Sequence, residues 1–272
     1  MIFASDLDRT LIYSEKFIVG FAEKSIKIRP VEYKEGKIIS YMSEKVISKL
    51  KSISENVLFI PVTTRTIEQY ERIDVFKNLI KPQYAIVTNG GNILKDGRLD
   101  VNWNKNIKNK IKHECLSIDE VINKFKEIAS DRWILKSRKA DDLFLYYIID
   151  REKMAMNELN DFVKWLRNKN WRSVLHGRKL YFIPNCVNKR ESLSYISEKE
   201  GREIIIAAGD SILDLDMAEI ADYFISPRHG ELYNTYREKV KHEFIFTENI
   251  GFVASHEIVE KVMQNLLAGA KI

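Results

Sequence analysis

The chain has 272 residues, is 45% hydrophobic and 31% charged, and carries a formal net charge of +5, which excludes a disordered or fibrous chain and supports a folded protein with a sizeable core. Its two cysteines, Cys115 and Cys186, lack metal-ligand spacing and are too few for a disulfide framework, so they read as packing residues in a reducing compartment. Asp6 interrupts the N-terminus before a secretory apolar core can form, no run nears the ~20 apolar residues of a membrane span, and no basic stripe with interleaved aromatics is present. A cytoplasmic protein that engages neither membrane nor nucleic acid is therefore expected.

In chain order, IFASD opens as a short buried strand that ends in acids. The segment FIVGFAEKSIKIRPVEYKEGKIISYMS follows with weak strand character and reads as a flap-like hairpin over the strand ends. SEKVISKLKSIS has a helical period and leads into the apolar run NVLFIPVTT. TIEQYERIDVFKNLI is helical again, and YAIVTNGG is a third buried run. Later, KRESLSYISEKEG precedes EIIIAAGD, and DYFIS and HEFIFTE follow. Helices alternating with buried, β-branched strands indicate an α/β fold built on a doubly wound parallel sheet.

Between residues 92 and 183 the pattern changes. SIDEVINKFKEIAS reads as a helix, RWILKS and LFLYYIID as paired strands, REKMAMNELNDFVKWLRNK as a second helix, and WRSVLH and KLYFIPN as a hairpin around Gly177. This αββαββ run is expected to form an inserted domain, with residues 1–91 and 184–272 making the core. Alternation along RWILKSR sets Arg132, Ile134, Lys136 and Arg138 on one face and Trp133, Leu135 and Ser137 on the other. The helices need an apolar face, so Trp133 and Leu135 should pack against them. Lys136 and Arg138 then become candidates for holding a second polar group of a substrate, or are solvated turn residues. Arg178 and Lys179, at the far end of the last strand, are expected to be dispensable.

Polar groups of a consistent kind end the core strands: Asp6 and Asp8, Thr63 and Thr64, Asn89, then Asp210 and Asp214, with Lys189 starting the helix that leads into the fourth strand. Ligands of open parallel sheets bind at this carboxyl edge. Acids converging there would repel one another in a desolvated site, and a hard cation coordinated by oxygens relieves that, with Mg²⁺ the natural choice. The same residue types suit phosphoryl transfer. A carboxylate at Asp6 can attack phosphorus and Asp8 can give a proton to the leaving oxygen, while Thr63, with Thr64 beside it, and Lys189 can hold phosphate oxygens. Asn89, Gly90 and Gly91 read either as a turn opening a linker or as a substrate-side element, and Asn89 is a specificity candidate.

In order and approximate separation, DLDRT, Thr63 of PVTTRT, Lys189 of VNKRESL, and GDSILDLDM resemble the four motifs of the haloacid dehalogenase-like phosphatase superfamily. The inserted αββαββ run resembles its type II cap. IPVTTRTIEQ and GRKLYFIPNCVNKRESL look most like the sucrose-phosphatase and mannosyl-3-phosphoglycerate-phosphatase branch. The resemblance implies that Asp6 is the nucleophile and Asp8 the general acid/base. It also implies that Asp6, the Asp8 carbonyl and Asp210 ligate Mg²⁺, with Asp214 as an outer or ligand-orienting group. Three positions depart from the pattern: Arg9 and Arg190 stand where Gly is frequent, and Thr64 where many relatives have Gly or Ser. The expected activity is hydrolysis of a small phosphorylated metabolite, a sugar or polyol phosphate. The alternatives are a phosphomutase using the same aspartyl phosphate and a non-enzymatic metabolite-binding protein.

Overall fold

The computed structural model describes residues 1–18, 26–237 and 244–269, so part of the expected hairpin segment (19–25) and the start of HEFIFTE lie outside the described residues. In chain order the elements are β1 (Ile2–Ser5), β2 (Ile28–Lys34), β3 (Lys37–Ser43), α1 (Glu44–Asn56), β4 (Leu58–Pro61), α2 (Ile67–Glu71), β5 (Tyr84–Val87), β6 (Asn92–Lys95) and β7 (Arg98–Leu99). Next come α3 (Val101–Glu114), α4 (Ile118–Phe125), β8 (Ile134–Ala140), β9 (Phe144–Ile149), α5 (Met156–Arg167), β10 (Trp171–His176) and β11 (Lys179–Pro184). The chain ends with α6 (Lys189–Glu200), β12 (Ile205–Ala208), α7 (Leu215–Ala218), β13 (Tyr223–Ser226), α8 (Glu231–Tyr236), β14 (Phe244–Phe246) and α9 (Ala254–Gly269). Among the described residues no helix is long and apolar enough to cross a membrane.

Two compact units emerge, Met1–Leu99 with Lys189–Ile272, and Asp100–Asn188. In the first, β14, β13, β12, β1 and β4 form a parallel sheet in that order. Phe3, Phe59, Ile206 and Ile225 turn toward Leu50 of α1 and Ile258 and Val262 of α9, while Ile2, Ala4, Ile60 and Ala207 are buried on the opposite face. Covering both faces is what parallel strands with continuous apolar runs require, so the α/β class and parallel core read from the sequence hold. β5 meets the Val62 end of β4 through one parallel bridge at Ile86, then pairs antiparallel with β6, which pairs with β7. That pairing carries the first unit on to Leu99, past the boundary after Gly91 expected from the sequence. TIEQYERIDVFKNLI is not one helix: α2 stops at Glu71 and a separate π-helical turn spans Phe76–Ile80.

β2 and β3 form a hairpin whose turn, Glu35-Gly36, has φ of 50° and 75°. Those two left-handed residues match the right-handed twist of the flanking strands. The hairpin is tied to the first unit by bridges from Tyr41 to Tyr13 and from Glu32 to Ile73.

In the second unit β10, β11, β9 and β8 form an antiparallel sheet. One face packs Trp133, Leu145, Tyr147, Trp171 and Phe182 against Val121 and Phe125 of α4 and Leu159, Phe162 and Leu166 of α5. α3 precedes this αββαββ core. It was not foreseen because VNWNKNIKNKIKHE buries only Trp103 and Ile107, too few apolar positions to make a visible helical stripe.

The alternation expected along RWILKSR fails at one residue. The β8–β9 register shifts between Ile134 and Lys136, so Leu135 is 52% exposed instead of packing with Trp133, and Ile134 joins the helix-side core. Beyond the bulge, Ser137 and Lys139 oppose Tyr147 and Leu145 on the helix side, and Lys136 and Arg138 oppose Ile148 and Tyr146 on the other face. Lys179 also opposes Ile148, so it lies at the same level along the sheet as Lys136, and its ammonium sits 5.7 Å from the Tyr146 ring centroid. Lys179 is therefore not remote from Lys136, contrary to the reading by reach alone.

Candidate active site

The parallel register brings three strand ends together. Ser5 pairs with both Pro61 and Ala208, so Asp6, Thr63 and Asp210 leave the sheet on one edge. Backbone bonds lock the exits: Asp6 N–H donates to Ala208 O (2.8 Å), Val62 N–H to Ser5 O (2.7 Å) and Thr63 N–H to Ile86 O (2.8 Å). Asp6, Thr63, Lys189, Asp210 and Asp214 are all buried.

Lys189, the first residue of α6, is fully buried. Its ammonium donates to Asp6 Oδ1 (2.9 Å), Asp214 Oδ1 (2.5 Å) and the Val62 carbonyl (3.3 Å). Burial alone would lower its pKa, but Asp214 and Asp6 outweigh that and hold the ammonium charged. Asp6 responds in the opposite sense. Burial raises its pKa well above the usual carboxylate value, Lys189 opposes this, and Asp214, Asp210 and Asp8 push it further up.

Asp6, Asp210 and Asp214 each offer an oxygen within 4.8 Å of the others. The Asp8 carboxylate is not among them. Asp214 Oδ2 accepts from both the backbone N–H and the hydroxyl of Ser211, each at 2.9 Å, so both Asp214 oxygens have protein donors. The sequence forces the approach of this side chain: a Cβ on Gly209 would lie 2.4 Å from Asp214 Cβ and Cγ. Only glycine leaves room there.

Arg9 carries the strain of its departure from Gly. Its φ is 65°, a left-handed conformation that costs a non-glycine residue about 1–2 kcal/mol. The side chain gains contacts that glycine lacks: it lies 3.4 Å from Asp210 Oδ2, donates to the His229 carbonyl (3.0 Å) and covers the Phe17 ring. His229 accepts from Gly251 N–H at Nδ1 (3.0 Å), which leaves Nε2 as the donor to the Arg9 carbonyl (2.9 Å). Arg190, the second departure, pairs with Glu219 on the surface. Thr64 is partly exposed.

Asp8 is half exposed and lies against Arg65, whose Nε and Nη2 each donate to one carboxylate oxygen at 2.8 Å. Thr63 supports this loop, its hydroxyl accepting from Arg65 N–H (3.2 Å). Asn89 is buried between two other left-handed residues, Thr88 and Gly90, and its N–H donates to the Thr63 carbonyl (2.9 Å). Lys136 and Arg138 belong to the second unit and are both exposed. Sequence reasoning did not single out Thr10, whose hydroxyl donates to Asp6 Oδ2 (3.3 Å), Ser211, or Glu32, which accepts from Arg65 (2.7 Å). The first two are short-range signals inside the motifs, three or four residues from the acids they serve. Glu32 carries no such signal.

A family model described as sucrose-6F-phosphate phosphohydrolase matches residues 1–249. The chain belongs to this family. It is accordingly a phosphatase of the haloacid dehalogenase-like superfamily, and the non-enzymatic alternative falls away. No curated protein sequence matches the chain. Among solved structures it is similar in fold to the sucrose-phosphatase of Synechocystis, solved in complex with sucrose and phosphate (14% identity, TM-score 0.70, covering 96% of this chain and 97% of that one). It is also similar to a Thermotoga maritima protein (16%, 0.55, 96% and 96%) and to the trehalose-6-phosphate phosphatase of Aspergillus fumigatus (14%, 0.52, 96% and 91%). At these identities the likeness is one of fold.

Proposed function

We propose that the protein hydrolyses the phosphomonoester of a small sugar or polyol phosphate through an aspartyl-phosphate intermediate, with Mg²⁺ as cofactor. The observation that carries this reading is the group of three buried carboxylates, Asp6, Asp210 and Asp214, with oxygens within 4.8 Å and Lys189 bonded to two of them. Family membership and the sugar-phosphate phosphatases among its fold relatives support the substrate class.

The donor set fits a hard divalent cation: all-oxygen, anionic, and held in a site that burial would otherwise drive toward protonation. Asp6, the Asp8 carbonyl and Asp210 would hold the ion, and Asp214, both of whose oxygens already have donors, would orient Lys189 and the ion's surroundings. When bound, Mg²⁺ supplies charge neutralisation at the phosphate oxygens. The chain's own groups do the rest. An Asp6 oxygen attacks phosphorus while the bond to the alcohol oxygen breaks, and Asp8 gives that oxygen its proton. Asp8 then takes a proton from water as the water oxygen attacks phosphorus, the bond to Asp6 breaks, and phosphate leaves. Lys189 and Thr63 stabilise the charge that develops on the phosphoryl oxygens.

The test is a screen of the purified protein with Mg²⁺ against phosphorylated sugars, polyols and nucleotides, scored by inorganic phosphate. Release confined to sugar or polyol phosphates, abolished by EDTA, supports the reading. Isomerised sugar phosphate without net phosphate release would replace it with the mutase.

A further inference from the structure

The β2–β3 hairpin lies outside the four motifs, yet it delivers a fully buried carboxylate to them. Glu32 is 0% exposed on a strand whose neighbours Tyr33 and Lys34 face solvent, and the ladder register shifts on both sides of it, between Pro30 and Glu32 and between Glu32 and Tyr33. Bulges of this kind re-aim a side chain off the regular alternation. Here they turn Glu32 inward, where Oε2 accepts from Arg65 Nη1 (2.7 Å) and the Ser40 hydroxyl (3.1 Å), and Oε1 from Arg72 Nε and Nη2 (3.2 Å each).

Burying a carboxylate is costly unless it is paired, and Arg72 on Oε1 with the Ser40 hydroxyl on Oε2 already gives each Glu32 oxygen a donor within the hairpin's surroundings. The engagement of Arg65 has a different geometry. Its Nη1 is held by Glu32 while its Nε and Nη2 fork Asp8, so a planar, always-charged group is clamped between a buried anion and a half-exposed one. Each carboxyl oxygen has a second lone-pair position besides the one that accepts from the fork, so an Asp8 oxygen can carry the proton that the leaving oxygen takes.

We propose that Glu32 is a positioning residue for the phosphatase reaction: it fixes the Arg65 guanidinium, which in turn holds the Asp8 carboxylate where the leaving oxygen needs its proton. This rests on the reading of Asp8 as the proton donor. Losing Glu32 leaves Arg65 Nη1 with only a long bond to the Gln69 carbonyl (3.5 Å), so Arg65 and Asp8 are held less firmly, the chemical step suffers where protonation of the leaving group matters, and substrate affinity changes little.

The experiment compares E32Q, E32D, R72Q and D8N on two esters: 4-nitrophenyl phosphate, whose leaving group needs little protonation, and whichever of glucose 6-phosphate, sucrose 6-phosphate and glycerol 1-phosphate the wild-type protein turns over fastest. E32Q should lose about 10- to 100-fold in kcat on the alkyl ester with KM nearly unchanged, and about threefold or less on the aryl ester. E32D, which keeps the charge, should recover most of that loss, and R72Q should leave the alkyl-to-aryl ratio at its wild-type value. Should E32Q fail to fold by circular dichroism, E32D carries the test, with a smaller split in the same direction expected and no split overturning the proposal. Equal losses on both esters in E32Q, an unaffected E32Q, or a split reproduced by R72Q would also overturn it. A D8N protein that itself shows no split would remove the reading of Asp8, and the role of Glu32 with it. A split in D8N without one in E32Q would remove the role of Glu32 alone.

Discussion

Along the strand-end edge of the first unit, Asp6, Lys189, Asp210 and Asp214 are 7%, 0%, 2% and 0% exposed, whereas on the face of the second sheet turned away from α4 and α5, Lys136 and Arg138 stand in solvent. Both regions gather charge, under opposite constraints. A buried charge must find a partner within hydrogen-bonding reach, so the identity and spacing of the edge residues are fixed by one another. An exposed charge on a strand is constrained only by alternation, and one bulge at Leu135 changes which residues share a face. Changes at these four buried residues should therefore be severe and uniform across substrates, unlike those at half-exposed Asp8, and changes on the exposed face milder and substrate-dependent.

The largest effect expected is that of Asp6→Asn. An amide cannot form the acyl phosphate, and uncatalysed monoester hydrolysis is slower than the enzymatic reaction by up to ~10²¹-fold, so turnover should fall below about one percent on every ester while circular dichroism stays unchanged. Next comes Gly209→Ala, which removes no functional group. Its new Cβ would sit 2.4 Å from Asp214 Cβ, and displacing Asp214 withdraws one of the two carboxylates that hold Lys189. The substitution should cost about 1–3 kcal/mol in urea unfolding and about 100-fold in kcat.

His229 probes the edge through pH. Burial pushes its pKa from 6.5 down to about 4, and protonating Nδ1 would break the bond from Gly251 N–H. The unfolded chain then binds more protons than the folded one between those two values, so stability is complete above pH 6.5 and is lost as pH falls toward 4. The loss should approach about 2–3 kcal/mol, read as an acid-side drop in urea midpoint that His229→Gln largely removes.

The smallest effects belong to the exposed face. Lys136→Ala, Arg138→Ala and Lys179→Ala should each lower kcat/KM for the sugar phosphate by at most about 10-fold, the loss of one solvent-exposed charged hydrogen bond of ~1.5 kcal/mol, and leave an aryl phosphate within about twofold. Equal losses on both esters would erase the distinction between the two regions.

The same contrast explains what could be read from the sequence. IFASD, NVLFIPVTT and EIIIAAGD were legible as buried parallel strands because both faces of that sheet are covered, and acids that end such runs have little else to do than meet a ligand. The hairpin's shape was legible from its weak strand character, but its turn at Glu35-Gly36 and its contribution were not. Glu32 reaches Arg65 across a separation of 33 residues, and only the two register shifts around it turn it inward. Arg65 in turn forks Asp8 across 57 residues. Cys115 and Cys186 offered no pattern, yet their sulfurs lie 4.0 Å apart within the second unit. Bulges and long-range pairings leave no periodic trace in composition or spacing.

The central claim is that Asp6 carries the phosphoryl group. Acid-quenching the Mg²⁺-loaded protein during turnover, digesting it with trypsin and sequencing the N-terminal peptide Met1–Arg9 by mass spectrometry tests it directly, with Asp8→Asn used to slow hydrolysis of the intermediate. The account predicts the added mass of one phosphoryl group on Asp6, removed by hydroxylamine and absent from Asp6→Asn. A phosphoryl group on another residue, or Asp6→Asn protein that still turns over, would contradict it.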